Sequence, residues 1–487
     1  MNSKPYFPVG SLEYDLKRLY LIAVFSAGSL ALLASNLFRQ RARALWQAIP
    51  RIGRLGLILF FVLGLPSAGL AAKPQAALLE WAWFLALFQL SMAVAAALEL
   101  TPRTGAGILM VGLLGGITAY SGGFMDHYVW ATWVRGNSIE WIGPFGRFAN
   151  VRFFSQVQTL TLPLLAATVL LAARFSRTLF WLLAVIAAFW FAMLFATGTR
   201  GTWVGVLGAM VILVFFPRAW AWQKVNLSLL TGGGLLYFLI FSGQSPGVER
   251  TASKLSGDPS GESRLQLWEH ALDAIAQAPW LGQGPMHYAL GGGPPGSAHP
   301  HNSLLQIGSE WGLPALFLLV ILSAWGLLRF FRQETGQLSS AVGHGGGAAQ
   351  IIHTALLASL LAGLGHSLVS GIIVMPASQF LLAVIAASLW SYEPLPKSVK
   401  TASLKGGGSA AFLGIVALPP ILIMAITFPH IPQLHKAETL HQELIGPRNP
   451  RFWLQGRLEY PPWTDSYPGT RSGRESNGVP RPDAITR

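Results

Sequence analysis

The stretch LFWLLAVIAAFWFAMLFAT, Leu179 to Thr197, contains no charged residue, no glycine and no proline. As a helix it would be long enough to cross about 30 Å of hydrocarbon. It runs straight into Gly198-Thr199-Arg200-Gly201 and then a second apolar run, so the chain turns at one face and goes back. Reading outward in both directions gives twelve such runs. The first six are Leu19–Phe38, Leu55–Ala72, Ala76–Leu98, Gly105–Met125, Phe153–Ala173 and Leu179–Thr197. The last six are Thr202–Phe216, Val225–Ser242, Leu313–Leu328, Ile351–Ser370, Ala377–Trp390 and Ala410–Phe428. Composition agrees: 52% of residues are hydrophobic, 11% are charged and the mean hydropathy is +0.47. That is more apolar surface than a soluble core buries and too few charges to cover it. The expected fold is an all-α integral membrane protein of about twelve transmembrane helices, with a large, partly helical periplasmic loop between the eighth and ninth.

A net charge of +14 raises a nucleic-acid reading, which the placement of the cations answers. They gather at helix ends, as the residues that orient membrane proteins do. Arg39, Arg41, Arg43, Arg51 and Arg54 crowd one short loop; Arg103, Arg174, Arg177, Arg218, Lys224, Arg329, Arg332, Lys397, Lys400 and Lys405 fall on the same side by alternation. That side is expected to be cytoplasmic, with membrane lipids rather than nucleic acid as the surrounding partner. The organisation expected is helices 1 to 8 over residues 1–242, an outer loop over 243–312, helices 9 to 12 over 313–428, and a Pro- and Arg-rich tail over 429–487 that reads as a linker. The first apolar run lacks a convincing cleavage site and reads as a retained anchor. With no cysteine in the chain, thiol nucleophiles and Cys-ligated metal sites are excluded.

Three segments near the outer boundary carry chemistry. The first is Thr197-Gly198-Thr199-Arg200-Gly201-Thr202-Trp203, between the sixth and seventh runs. An arginine is disfavoured against the hydrocarbon centre, so Arg200 belongs at the interface or in a polar cavity. Its planar fork suits phosphate oxygens, and a snorkelling interfacial role is the alternative. The second is Ser263 to Ile275, an amphipathic helix with Leu265, Trp268, Leu272 and Ile275 at helical spacing and Ser263 with Gln266 as a capping box. Arg264 in its first turn adds positive charge where the helix dipole already favours an anion, or is an ordinary surface cation. The glycine-rich Pro279-Trp280-Leu281-Gly282-Gln283-Gly284-Pro285 lacks the strand and lysine of a phosphate loop. The third is His299-Pro300-His301-Asn302-Ser303. An imidazole here suits a proton acceptor for a hydroxyl group, with Asn302 orienting the ring or the acceptor; a helix-capping role is the bland alternative. Two histidines without a carboxylate partner make a poor metal site, so neither metal nor other cofactor is expected.

Arg147 and Arg152 bracket the start of the fifth run and either extend a cationic funnel or anchor the interface. Trp268 and Tyr288 are candidates to stack on sugars or to pack at the interface. Glu310 is a candidate partner for an arginine, and His366 reads as a packed, hydrogen-bonded residue.

Taken together, these segments resemble the O-antigen ligase and polymerase superfamily between about Phe180 and Phe331. The resemblance rests on the Thr-Arg-Gly junction at Arg200, on Ser263-Arg264 with Trp268, Pro279, Gly282 and Gly284, and on His301-Asn302 followed by Gly312. The nine-residue gap of the ligase pattern is kept from Ser303 to Trp311, while Ala315 departs from its last position. The resemblance implies a metal-independent inverting glycosyltransferase of the bacterial inner membrane, with its active site facing the periplasm of a Gram-negative cell. The implied donor is O-antigen on undecaprenyl diphosphate and the implied acceptor is the lipid A–core oligosaccharide. Arg200 and Arg264 would hold the diphosphate, and His301 would be the general base. An O-antigen polymerase or a protein O-oligosaccharyltransferase would share donor and mechanism. A lipid-linked glycan flippase is the alternative of a different class. It would place polar groups near the bilayer midplane, often in repeated halves, whereas here they gather at one face and no repeat is visible.

Overall fold

The computed structural model describes residues 9–134, 148, 150–241, 259–290, 297–335, 347–392, 410–434 and 451–453. Their regular structure is helical throughout: α1 (Val9–Ala34), α2 (Asn36–Ala48), α3 (Arg51–Gly69), α4 (Pro74–Leu100), α5 (Pro102–Tyr128), α6 (Val151–Ala172), α7 (Arg177–Thr197) and α8 (Arg200–Leu213). There follow α9 (Trp220–Ile240), α10 (Pro259–Gln277), α11 (Ser303–Trp311), α12 (Leu313–Glu334), α13 (Gly347–Ser367), α14 (Pro376–Ser391) and α15 (Ala410–Thr427). A chain in hydrocarbon must satisfy its backbone polar groups internally, which a helix does within one segment.

Each of the twelve apolar runs read from the sequence falls on a helix, in order. Among the described residues, nine helices are long and apolar enough to cross a membrane. The other three expected crossings differ for two reasons. Helices α8 and α14 are apolar but have only 14 and 16 residues. Helix α9 has 21 residues, but Gln223, Lys224, Asn226 and a run of three glycines dilute its apolar character. The basic stretch Arg39 to Arg43, expected as a loop, is part of the amphipathic α2. Ser35 caps it by accepting the Phe38 N–H, and Ala42, Ala44 and Leu45 are buried. Its arginines hide this apolar stripe from a hydropathy reading.

Leu313, Phe317, Val320, Ile321 and Leu328 of α12 and Leu55, Ile58, Leu59 and Val62 of α3 are exposed apolar residues, as lipid-facing helices require. Inside, α13 lies against both α6 and α8, and α4 lies against α1, α3, α14 and α15. The α8–α13 contact depends on small residues. A Cβ on Gly205 would sit 2.4 Å from the Ala362 carbonyl oxygen, and one on Gly201 would sit 2.3 Å from His366 Nε2. Polar groups fill the same seam: Thr159 Oγ1 lies 2.9 Å from Thr202 Oγ1 and 2.7 Å from His366 Nδ1, and Thr202 donates to the Ser155 carbonyl. In low dielectric such internal partners replace water.

Gly205→Val should therefore push α8 off α13 and cost on the order of 1–3 kcal/mol. Thermal unfolding in detergent should show a lowered midpoint, while Gly208→Ala, where no atom lies within 4 Å of an added Cβ, should leave it unchanged.

Candidate functional site

The segment from Ala298 to Asn302 is held on a rigid base. Asn302 is the N-cap of α11, its Oδ1 accepting the N–H groups of Leu304 and Leu305 at 3.0 and 3.1 Å. Its oxygen is thus committed to the helix, which leaves its amide nitrogen, rather than its oxygen, to serve an acceptor. Ser303 Oγ donates to Ser367 Oγ at 2.8 Å, tying the loop to the end of α13. His301 has φ +54°, a left-handed conformation that costs a side-chain-bearing residue about 1–3 kcal/mol and persists only where its surroundings over-determine it. The determinants are visible. The His301 N–H donates to His299 Nδ1 at 3.2 Å, and the Trp268 indole donates to the Pro300 carbonyl at 3.1 Å. A Cβ on Gly371 would be 2.3 Å from His299 Cε1, so that glycine is what lets the ring sit where it does.

The two imidazoles meet edge to face with centroids 4.2 Å apart. Among the described residues no group of three or more His, Asp or Glu gathers as metal ligands would. Burial pushes the His301 imidazole down to about 3, and the guanidiniums of Arg152 and Arg264 add to the effect. Burial lowers His299 well below the usual range too, helped by His301, Arg451 and Arg152. Both rings are therefore neutral at physiological pH, and His299 accepts at Nδ1, which places its proton on Nε2.

Two cations act on His301, from α6 and α10. Arg152 is exposed in the first turn of α6, where the Asn150 side chain accepts its N–H at 2.9 Å. Arg264 is half-buried in α10 and acts electrostatically on both His301 and His366. Arg200, also half-buried, opens α8 after the left-handed Gly198, and its neighbour Gly201 packs on His366. Two segments far apart in sequence thus bring positive charge to bear on His301, and Arg264 acts also on His366, against which the neighbour of Arg200 packs. Such an arrangement can take an anion at its mouth and a proton at its floor. Arg147 lies outside the described residues.

Other expectations need correcting. The buried side of α10 is Leu267, Ala271 and Ala274, while Leu265 and Leu272 are each 55% exposed, so the stripe is turned from the one read in the sequence. Of the stripe read in the sequence, Trp268 and Ile275 are half-buried, with Ile275 beside Gly308 of α11. The helix also begins at Pro259, four residues before Ser263, which removes Ser263 from the cap position. Tyr288 is 1% exposed, its hydroxyl donating to the Leu267 carbonyl; it is a packing residue. The glycines of the 279–285 turn permit backbone docking. The N–H groups of Gln283 and Gly284 donate to the Ser309 and Glu310 carbonyls, and a Cβ on Gly282 or Gly312 would strike backbone at 2.4 and 2.3 Å.

Glu310 does pair with an arginine, but with Arg451 from the tail. Arg451 also binds Glu80 of α4, at 2.7 and 2.9 Å, and the Ala298 carbonyl at 2.9 Å. Burial raises the Glu310 carboxyl against the opposing pull of Arg451. The sequence reading missed Arg451 and Glu80. The available signal was Glu80 itself, an acid inside an apolar run that requires a partner.

Residues 182–320 match the family model described as O-antigen ligase, which covers α8, α10, α11 and the histidine loop. A protein of Rickettsia conorii described as "Putative polysaccharide ligase" is 29% identical over 131 residues, 24% of this chain and 31% of the relative. The chain thus matches less than a third of that relative's length.

Loss of the cap in Asn302→Ala should cost about 1 kcal/mol, and Asn302→Asp should retain most of it. Hydrogen exchange at the Leu304 and Leu305 amides should rise in the first variant and stay near wild type in the second.

Proposed function

We propose, from the O-antigen ligase region at residues 182–320, that this protein transfers a glycan from a polyprenyl-diphosphate carrier to an acceptor hydroxyl. The specific reading is an O-antigen ligase at the periplasmic face of a Gram-negative inner membrane. Its donor is undecaprenyl-diphosphate-linked O-antigen and its acceptor the lipid A–core oligosaccharide. The observation that carries the reading is His301: a half-buried, neutral imidazole on a left-handed backbone, in the field of Arg152 and Arg264. The relative's description as a polysaccharide ligase supports ligation over polymerisation.

In the proposed reaction an acceptor hydroxyl oxygen attacks the anomeric carbon from the face opposite the diphosphate. The bond from that carbon to the diphosphate oxygen breaks, the configuration inverts, and the hydroxyl proton passes to His301. Arg200 and Arg264 stabilise the charge that develops on the departing undecaprenyl diphosphate, with Arg152, and Arg147 beyond the described residues, guiding it in. Fixed positive charge at a water-poor site supplies the stabilisation that a divalent cation would otherwise give. The same charges also tune the base. Without donor, Arg152 and Arg264 oppose protonation of His301; an anionic diphosphate between them cancels that field and raises the proton affinity of the ring when a proton is to be accepted.

Reconstituted with the undecaprenyl-diphosphate-linked donor and lipid A–core in excess EDTA, the protein should place glycan on lipid A–core. Longer chains left on the carrier would show a polymerase instead, and an unchanged donor with folded protein would overturn the transferase reading. Arg200→Ala and Arg264→Ala should each lower turnover by about 10²–10³-fold. His301→Ala should lower it by about 10²–10⁴-fold, with the folded state retained.

The pH dependence has a definite sign. His301 accepts a proton only when neutral, and its depressed value keeps it neutral down to acidic pH. It should therefore impose no acid limb on kcat/KM between about pH 5 and pH 8. Removing a positive charge in Arg264→Gln raises the imidazole, so any acid limb should move to higher pH. A limb that stayed in place would count against the assignment.

A further inference from the structure

We propose that Arg451, in the tail segment Arg451–Trp453, is the positioning residue that holds the His299–His301 loop in its working geometry. The role rests on the reading of His301 as proton acceptor. The segment lies well outside the residues that match the O-antigen ligase family, in a stretch whose composition reads as a linker. Yet Arg451, Phe452 and Trp453 are 2%, 3% and 0% exposed. The Phe452 ring meets Trp83 edge on at 5.0 Å. Arg18 of α1 donates to the carbonyls of Arg451 and Phe452 at 2.7 and 2.8 Å, and the Tyr14 hydroxyl donates to that of Arg451 at 2.9 Å. The tail is thereby inserted into the helix bundle at the end that carries the histidines.

From that seat one guanidinium reaches three elements. Nη1 donates to the carbonyl of Ala298, the residue before His299. Nη2 donates to Glu310, in the helix that starts directly after His301-Asn302, and to both oxygens of Glu80 in α4. His301 sits between the first two anchor points. Arg451 fixes the carbonyl at 298, Trp268 fixes the carbonyl at 300, and His299 fixes the N–H at 301. A left-handed histidine needs such over-determination, and Glu80 relays the grip to a buried helix. Two carboxylates in one buried cluster repel each other unless a cation lies between them, so the arginine also sets the seating of α11 against α4.

The test uses the full-length protein in nanodiscs and two variants. Arg451→Lys keeps the charge but loses the fork; Glu80→Gln with Glu310→Gln and Arg451→Met removes the ion cluster at similar volume, so that a folded state survives even if the lysine variant proves unstable. Two readouts are taken on whichever variant unfolds cooperatively near the wild-type temperature. Backbone amides at residues 299–303 should exchange about ten-fold faster or more, with α8 unchanged. Turnover should fall about ten-fold or more while the KM for the lipid-linked donor stays within about two-fold, as expected when geometry rather than donor binding is lost. Unchanged exchange at 299–303 would overturn the proposal, and so would a loss confined to KM. If wild-type protein transferred no glycan, the transferase reading would fail, and the exchange measurement alone would still decide whether Arg451 holds the loop.

Discussion

A charge inside a helix bundle has no water to solvate it and must find a partner of opposite sign or a set of dipoles. That requirement orders one end of this protein. Arg18 and Arg451 are both buried, and between them they engage Glu80, Glu310, Gln379 and the carbonyls of Ala298, Arg451 and Phe452. Helices α1, α4, α11 and α14 and a fragment of the tail meet through these two guanidiniums. Elsewhere apolar contact and small-residue packing dominate, with a second buried cluster in which Glu334 pairs with His353 and accepts from Thr354. Where polar groups do enter the apolar seam, as Thr159, Thr202 and His366 do between α6, α8 and α13, they satisfy one another.

The candidate site lies on that ordered end and shares its electrostatic logic with opposite intent. Arg451 is neutralised by carboxylates, whereas Arg152 and Arg264 project their charge onto imidazoles that burial has already made neutral. A positive field over a weak base is unfavourable for a proton. The strained φ of His301 and the close approach of Gly371 to His299 show backbone conformation spent on holding the rings.

Much of this was legible residue by residue. The twelve apolar runs became helices because period and length report burial in lipid directly, and Arg200 drew notice because a cation at the boundary of an apolar run requires an explanation. Glu310 was legible as a partner for an arginine, but not the identity of that arginine, which lies 141 residues away and in a segment of linker-like composition. The face of α10 was misread for a related reason: Leu265 and Leu272 are larger than Ala271 and Ala274, yet the fold buries the two alanines together with Leu267. The glycines at 282 and 284, which lack the strand and lysine of a phosphate loop, and Gly312 serve backbone docking.

By itself the sequence determined the class of the protein and the order of its helices, because those follow from local hydropathy. Tertiary structure alone decided that α6 and α10 bring Arg152 and Arg264 to bear on His301, and that Arg451 returns from the tail to bond the Ala298 carbonyl. Contacts of that kind depend on which helices lie side by side, and adjacency in space leaves no periodicity in a chain.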